Sequence, residues 1–147
     1  MKTFTDDLSM DTISYPLEQI GNLNDILFVD IETTGFSART SSLYEIGCIC
    51  FESAAPKLIQ YFAENPEEEK QILEAFFALC KEHSILIHYN GNTFDIPFMK
   101  AKAGQYGLAQ PFDRMEGVDI FKRISPYKKI LGLENCKQKT VEQFLDI

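Results

Sequence analysis

Residues Phe28 to Gly35 read F-V-D-I-E-T-T-G, and the reading of this octapeptide decides the rest. Ile26, Leu27, Phe28, Val29 and Ile31 form a short apolar run, which two acids interrupt before a T-T-G turn. Such a run describes a strand buried on both faces, as the centre of a mixed sheet usually is. Asp30 and Glu32 lie two residues apart, so on a strand their side chains leave from one face. Carboxylates side by side in an apolar setting repel each other and are costly to bury. No Lys or Arg lies in the run to balance them, which makes a hard divalent cation with oxygen ligands the natural partner. The alternative is that the strand has ended by Asp30 and both acids are solvated loop residues.

Outward from this strand, Phe36 to Ser42 is a polar loop. Tyr44 to Glu52 and Leu58 to Phe62 follow as two more strands on short links, which suits an antiparallel meander. Asn65-Pro66-Glu67-Glu68-Glu69 starts a helix: Asn65 caps, Pro66 fits the first turn, and the glutamates complement the dipole. Ile72, Phe76, Leu79, Cys80 and His83 then recur on one helical face, with His83 at the helix end. Ser84 to Tyr89 is a fourth strand, a helix runs from about Phe94 to Tyr106, and Val118 to Ile120 is a short fifth strand. A helix broken at Pro126 and another from Thr140 (T-V-E-Q, a capping-box pattern) complete the chain. Residues 1–22, polar and without a period, read as an N-terminal arm, leaving 23–147 as the domain. The expected class is α/β: a mixed five-stranded sheet, part antiparallel meander and part parallel, flanked by helices. This element order is the one a ribonuclease H-like fold requires.

With 147 residues, 45% of them hydrophobic and 12% aromatic, the chain has the length and composition of one folded domain. No apolar run reaches membrane-span length and the N-terminus shows no signal-peptide core, so a cytoplasmic protein is expected. Cys48, Cys50, Cys80 and Cys136 lack metal-site spacing, and the only histidines, His83 and His88, are not spaced with them, which argues against zinc. The net charge of −8 disfavours tight nonspecific binding to nucleic acid. Yet Lys122, Arg123, Lys128, Lys129, Lys137 and Lys139 face only Glu134 between positions 120 and 140, a cluster that is either a solvated face or a contact for phosphates.

The second informative stretch is His88 to Phe98, H-Y-N-G-N-T-F-D-I-P-F. Asp95 follows a strand end and a Gly-containing turn and opens a helix, the place where sheets with helical crossovers bind ligands. An Asp in a first helical turn also serves the dipole, and Asn90 is also an ordinary turn residue. D-I-E-T-T-G followed by N-G-N-T-F-D resembles the first two motifs of the DEDD group of 3′–5′ exonucleases of the ribonuclease H-like superfamily. It is most similar to the bacterial YprB-type domains, through S-L-Y-E-I-G-C and the terminal L-E-N-C-K-Q-K-T-V-E-Q-F-L-D-I. The resemblance implies that Asp30, Glu32 and Asp95 are catalytic and supply three of four metal-binding acids. They would serve two Mg²⁺ or Mn²⁺ ions about 3.5–4 Å apart. Asp30 would bridge both ions, Glu32 would sit on the ion carrying the attacking water, and Asp95 on the other. The resemblance further implies single-stranded DNA or RNA as substrate. Thr33, Thr34, Gly35, Asn90 and Phe94 would meet it, with Asn90 also orienting the acids and Phe36 or Phe94 pressing on a base or packing in the core.

The pattern departs from the family at its end. The third motif, a Tyr or His general base shortly before a fourth Asp, is expected beyond Ile147, which reads as C-terminal truncation and impaired hydrolysis. Two other readings stand beside this one. One is a noncatalytic nucleic-acid-binding module of the same fold. The other is a haloacid dehalogenase-type phosphatase, whose D-x-D-x-T strand end resembles D-I-E-T-T; in it Asp30 would be the nucleophile.

Overall fold

In the computed structural model, which describes residues 1–9 and 16–147, the octapeptide lies on a central strand as far as Thr33, as its apolar run requires, and Thr34 and Gly35 turn away from it. Among the described residues six strands form one sheet: β1 (Lys2–Asp7), β2 (Ile26–Thr33), β3 (Leu43–Glu52), β4 (Ala55–Phe62), β5 (Ile85–His88) and β6 (Glu116–Asp119). Their order is β1-β4-β3-β2-β5-β6. β2, β3 and β4 form the antiparallel meander, while β5 pairs parallel with β2, and β6 parallel with β5. Helix α1 (Glu69–Cys80) makes the crossover into β5, and α2 (Asp95–Tyr106) the crossover into β6.

The sheet has six strands where the sequence pattern predicts five. The sixth is β1, inside the segment expected to be an arm; residues 10–15 of that segment lie outside the described residues. All six β1 residues are exposed, and backbone pairing along β4 holds them, from Lys2 opposite Phe62 to Asp7 opposite Lys57, together with a surface ion pair from Lys2 to Glu64 at 2.6 Å.

One face of the sheet is closed. Leu27, Val29 and Ile31 of β2 pack with Ile46 and Cys48 beneath Ile72, Phe76, Phe98 and Met99 of α1 and α2. The opposite face is covered only in part, by Leu17 and Leu23 over Ile26, Phe51, Ile85 and Ile87. A third cluster joins Leu133, Cys136 and Val141 to Tyr89, Phe121 and Ile124, tying α3 (Ile120–Ile124) and α4 (Gln138–Leu145) to the end of β5. The alternation of β2 therefore sends Val29 and Ile31 into the core, and Asp30 and Glu32 to the open side.

The helix starts show where side chains replace missing backbone partners. Asn65 accepts from the Glu67 N–H at 3.1 Å, and Pro66 opens the 3-10 turn that leads into α1. His83 caps the other end through Nδ1 and the Leu79 carbonyl, 2.9 Å apart. Glu69 does not serve the dipole from the surface. It is buried, accepts from the Leu43 N–H and the Lys102 ammonium, and takes the Tyr106 hydroxyl as well. Burial and that carboxylate push the Tyr106 phenol up to about 12. Nor does Thr140 open α4, which begins at Gln138. Asn135 Oδ1 holds the turn instead, accepting from the Lys137 N–H and the Thr140 hydroxyl.

Candidate active site

β5 pairs with β2 only as far as Phe28 opposite Ile87, so β2 runs on beyond its neighbour, and the turn after β5 leads to Asp95, which accepts from the Ile31 N–H. The turn's sequence explains its shape. Asn90 takes a left-handed backbone (φ 58°), which Asn tolerates better than most residues, and its N–H goes to Asp119 Oδ1 at 2.9 Å. Gly91 lies flat on the His88 imidazole and donates its N–H to Nδ1 at 3.1 Å; a Cβ there would meet the ring at 2.7 Å. The chain then turns into α2, and its first residue, Asp95, is 7% exposed.

Both aspartates sit where burial disfavours their charge, and Asp95 also feels Asp30. The Asp95 carboxyl is pushed up to about 6, first by burial, with the Asp30 and Asp119 carboxylates adding to it and its own N–H and that of Ile31 opposing. Asp30 is also raised, by desolvation first, with the Ile31 N–H pulling it down and Glu45 pushing it up. Glu32 stands two residues along the same face, directly opposite Glu45, and a register shift follows it at Thr33. Among the described residues none of Asp30, Glu32, Glu45 and Asp95 forms an ion pair. Asp30 and Asp95 thus create an uncompensated negative field at the open end of the sheet. The carboxyls are not gathered into a cage, however. No group of three Asp, Glu, His or Cys side chains among the described residues is close enough to hold a metal ion.

A family model described as RNase_H superfamily matches residues 27–147, from the start of β2 through α4. The chain belongs to the RNase H superfamily. A DNA polymerase of Methanocaldococcus jannaschii is 36% identical over 45 residues, which are 31% of this chain and 3% of the polymerase. The catalytic polypeptide of DNA polymerase epsilon from Dictyostelium discoideum is 40% identical over 47 residues, 31% of this chain and 2% of that protein. The chain thus spans a small fraction of these relatives. The structure of E. coli exonuclease I in complex with a dT13 oligonucleotide superposes with a TM-score of 0.63. It is 12% identical and covers 80% of this chain and 35% of the exonuclease, a likeness of fold. Membership in the superfamily removes the phosphatase reading, since the N-G-N-T-F-D turn beside Asp30 has no place in that scheme.

In this RNase H-like chain the other residues singled out from sequence fall around the acids. The Thr33 hydroxyl donates to the Gly35 carbonyl at 2.9 Å, and Thr34 exchanges two 2.9 Å bonds with Ser42. The T-T-G turn is thereby pinned to the far end of its loop. The close approach that Gly35 permits is that of the Ser41 hydroxyl, which a Cβ would meet at 2.6 Å. Phe94 packs on the core through Phe98, with ring centroids 5.4 Å apart. Phe36 does not pack in the core: it is 94% exposed, and its ring stands edge-on to Phe94 at 6.0 Å. The Phe36 ring is thus left open to solvent next to Phe94.

Two residues were not singled out as site residues from sequence. Glu45 lies in a run of strand residues, and only its pairing opposite Glu32 reveals its side. Asp119, buried at the end of β6, caps α3 by accepting from the Phe121 N–H and holds the Asn90 N–H with the same oxygen. Its Oδ2 has no hydrogen-bond partner and lies 3.9 Å from His88 Nδ1. That nitrogen already accepts from Gly91, and burial pulls the imidazole pKa down, so the ring is neutral and carries its proton on Nε2. The signal available in the sequence was position alone, a strand-end Asp before a helix.

The raised Asp95 carboxyl has a measurable consequence for metal-free protein. Its folded value, about 6, exceeds the ordinary 3.8, so the folded state binds this proton more tightly than the unfolded chain. The stabilisation is complete below the unfolded value and is lost as pH rises through about 6. Urea denaturation in EDTA at pH 5 and pH 7.5 is expected to show Asp95→Asn gaining on wild type at the higher pH. An unchanged difference between the two proteins at both pH values would contradict the shift.

Proposed function

We propose that this domain is a metal-dependent 3′–5′ exonuclease that hydrolyses phosphodiester bonds of single-stranded DNA or RNA. The observation that carries the reading is the unpaired field of Asp30 and Asp95 at a strand end, with exposed Phe36 at its rim. The donors fit Mg²⁺ or Mn²⁺, being hard oxygens without an ion-pair partner among the described residues. Asp30 and Asp95 would hold the metal, with Glu32 joining from the same face of β2, and a cation would offset the burial, and after it the like charges, that raise both aspartates. The chemistry that a metal held by these acids would supply is neutralisation of charge on the scissile phosphate and activation of water near neutral pH.

The chain's own residues do the rest. Asp95 accepts from its own N–H and that of Ile31, which holds its carboxylate against β2 within the field of Asp30. The pinned T-T-G turn keeps Phe36 and Phe94 beside the acids, where a terminal base can stack. Asn90 and Asp119 fix the turn that carries Asp95 through one backbone hydrogen bond.

Oligonucleotides labelled at either end, DNA and RNA, incubated with Mg²⁺ or Mn²⁺, test the proposal. The expected result is a ladder that shortens from the 3′ end; inertness toward every strand with both metals contradicts it. Phe36→Ala is expected to weaken strand binding roughly 5- to 100-fold, the cost of about 1–3 kcal/mol for one stacked base. Because Phe36 is exposed, its melting temperature should match wild type, and unchanged binding would remove Phe36 from the site.

A second reading, a strand-binding module without catalysis, is favoured by one finding, the absence of a gathered metal cage among the described residues. Tight strand binding with no hydrolysis in either metal would select it.

A further inference from the structure

The open face of the sheet carries a groove of about 280 Å³ floored by Phe28, Gly47, Ile49 and Leu58, with Asp30 on its wall. Gly47 lies opposite Asp30 in the β2–β3 pairing; a Cβ there would meet only the Asp30 carbonyl, at 3.9 Å, so the aspartate has open space beside it. A second groove, about 610 Å³, is lined by Asn90, Phe121, Lys128 and Lys137. Tyr89 and Gln138 line both, so the two make one path from the acids to the basic cluster. Its wall is rigid. The Tyr89 hydroxyl donates to the Cys136 carbonyl at 2.7 Å, its ring meets Phe121 edge-on at 6.3 Å, and Asn135 fixes the backbone that carries Lys137.

We propose that this path is the track of a single strand of nucleic acid, with Lys128 and Lys137 meeting phosphates upstream of the end that lies at Asp30. Charge selects the occupant. In a chain of net charge −8, six Lys and Arg side chains against one Glu occupy positions 120–140, and none of the six forms an ion pair among the described residues. Both lysines are exposed and unengaged by acids, which suits contact with a polyanion that the acidic remainder of the surface repels. The alternation of basic tips with aromatic and amide walls fits a backbone track that tolerates any base. Which end of the strand enters rests on the exonuclease reading; that a strand lies on the path does not.

The test is fluorescence anisotropy with labelled dT12 and U12 in EDTA, for wild type and for the Lys128→Glu/Lys137→Glu variant. Binding is expected to weaken about 30-fold or more at moderate salt. The log–log salt slope should become shallower by about 1.4, two phosphate contacts at roughly 0.7 each. The neutral pair Lys128→Gln/Lys137→Gln should fall between, which guards against a folding defect of the reversed charges. Cleavage of a dinucleotide, too short to reach the lysines, should be unchanged. Wild-type affinity and slope in the variants overturn the track. So does unchanged strand binding with loss of a dimer, which would assign the basic cluster to the acidic surface of a second copy. If no strand is ever hydrolysed yet the variants lose binding, the exonuclease reading fails and the track stands.

Discussion

Asp30→Asn is expected to abolish strand hydrolysis, by about 1,000-fold or more, while leaving the fold intact. The magnitude follows from the role. A metal clamp that neutralises the phosphate and activates water is worth several kcal/mol, and each 1.36 kcal/mol is tenfold in rate. The fold should survive because Asp30 faces the open side of β2, and its partners across the sheet are Gly47 and backbone. Removing its charge also relieves Asp95, so metal-free Asp30→Asn should melt no lower than wild type. A variant that keeps a tenth of wild-type rate would remove Asp30 from the chemistry. One that loses activity together with its melting transition would say only that the strand had failed.

The largest stability effect should come from a residue far from the acids. Lys102 is 5% exposed on α2, and its ammonium sits 3.0 Å from Glu69 on α1. Lys102→Met leaves the buried carboxylate with only the Leu43 N–H and the Tyr106 hydroxyl. Breaking a buried pair from one side costs about 3–5 kcal/mol, which for a domain of this size lowers the melting temperature by roughly 10 °C. The double variant Glu69→Gln/Lys102→Met should recover much of that, since Gln still accepts from Leu43 without a stranded charge. A fall of under about 2 °C in the single variant would show that the pair is hydrated rather than buried.

These two sites differ in how visible they were beforehand. Asp30 and Glu32 could be placed on one face from the period of a strand, and Asp95 could be put at a helix start beside them from its turn. Both are local rules. Glu69 looked like an ordinary first-turn acid because its partners, Lys102 and Tyr106, come from another helix, and no local pattern joins them. β1 escaped for a related reason: a strand exposed on both faces has no hydrophobic period, and its stability resides in pairing with β4. α4 starts at Gln138 rather than at Thr140 because Asn135 holds the turn before it, accepting from the Lys137 N–H and the Thr140 hydroxyl, a contact between residues that the capping-box pattern does not join. The family membership of residues 27–147 agrees with the motif resemblance, which rested on the order and separation of two short strings.

The most direct test of the account is a calorimetric titration of the metal-free protein with Mn²⁺ at pH 7.5, beside Asp30→Asn and Asp95→Asn. If the unpaired carboxylates at the end of β2 and the start of α2 are a cation site, wild type binds Mn²⁺ and releases protons as Asp95 ionises, and each variant loses at least tenfold in affinity. Equal Mn²⁺ affinity in all three proteins, or none in any, would contradict it.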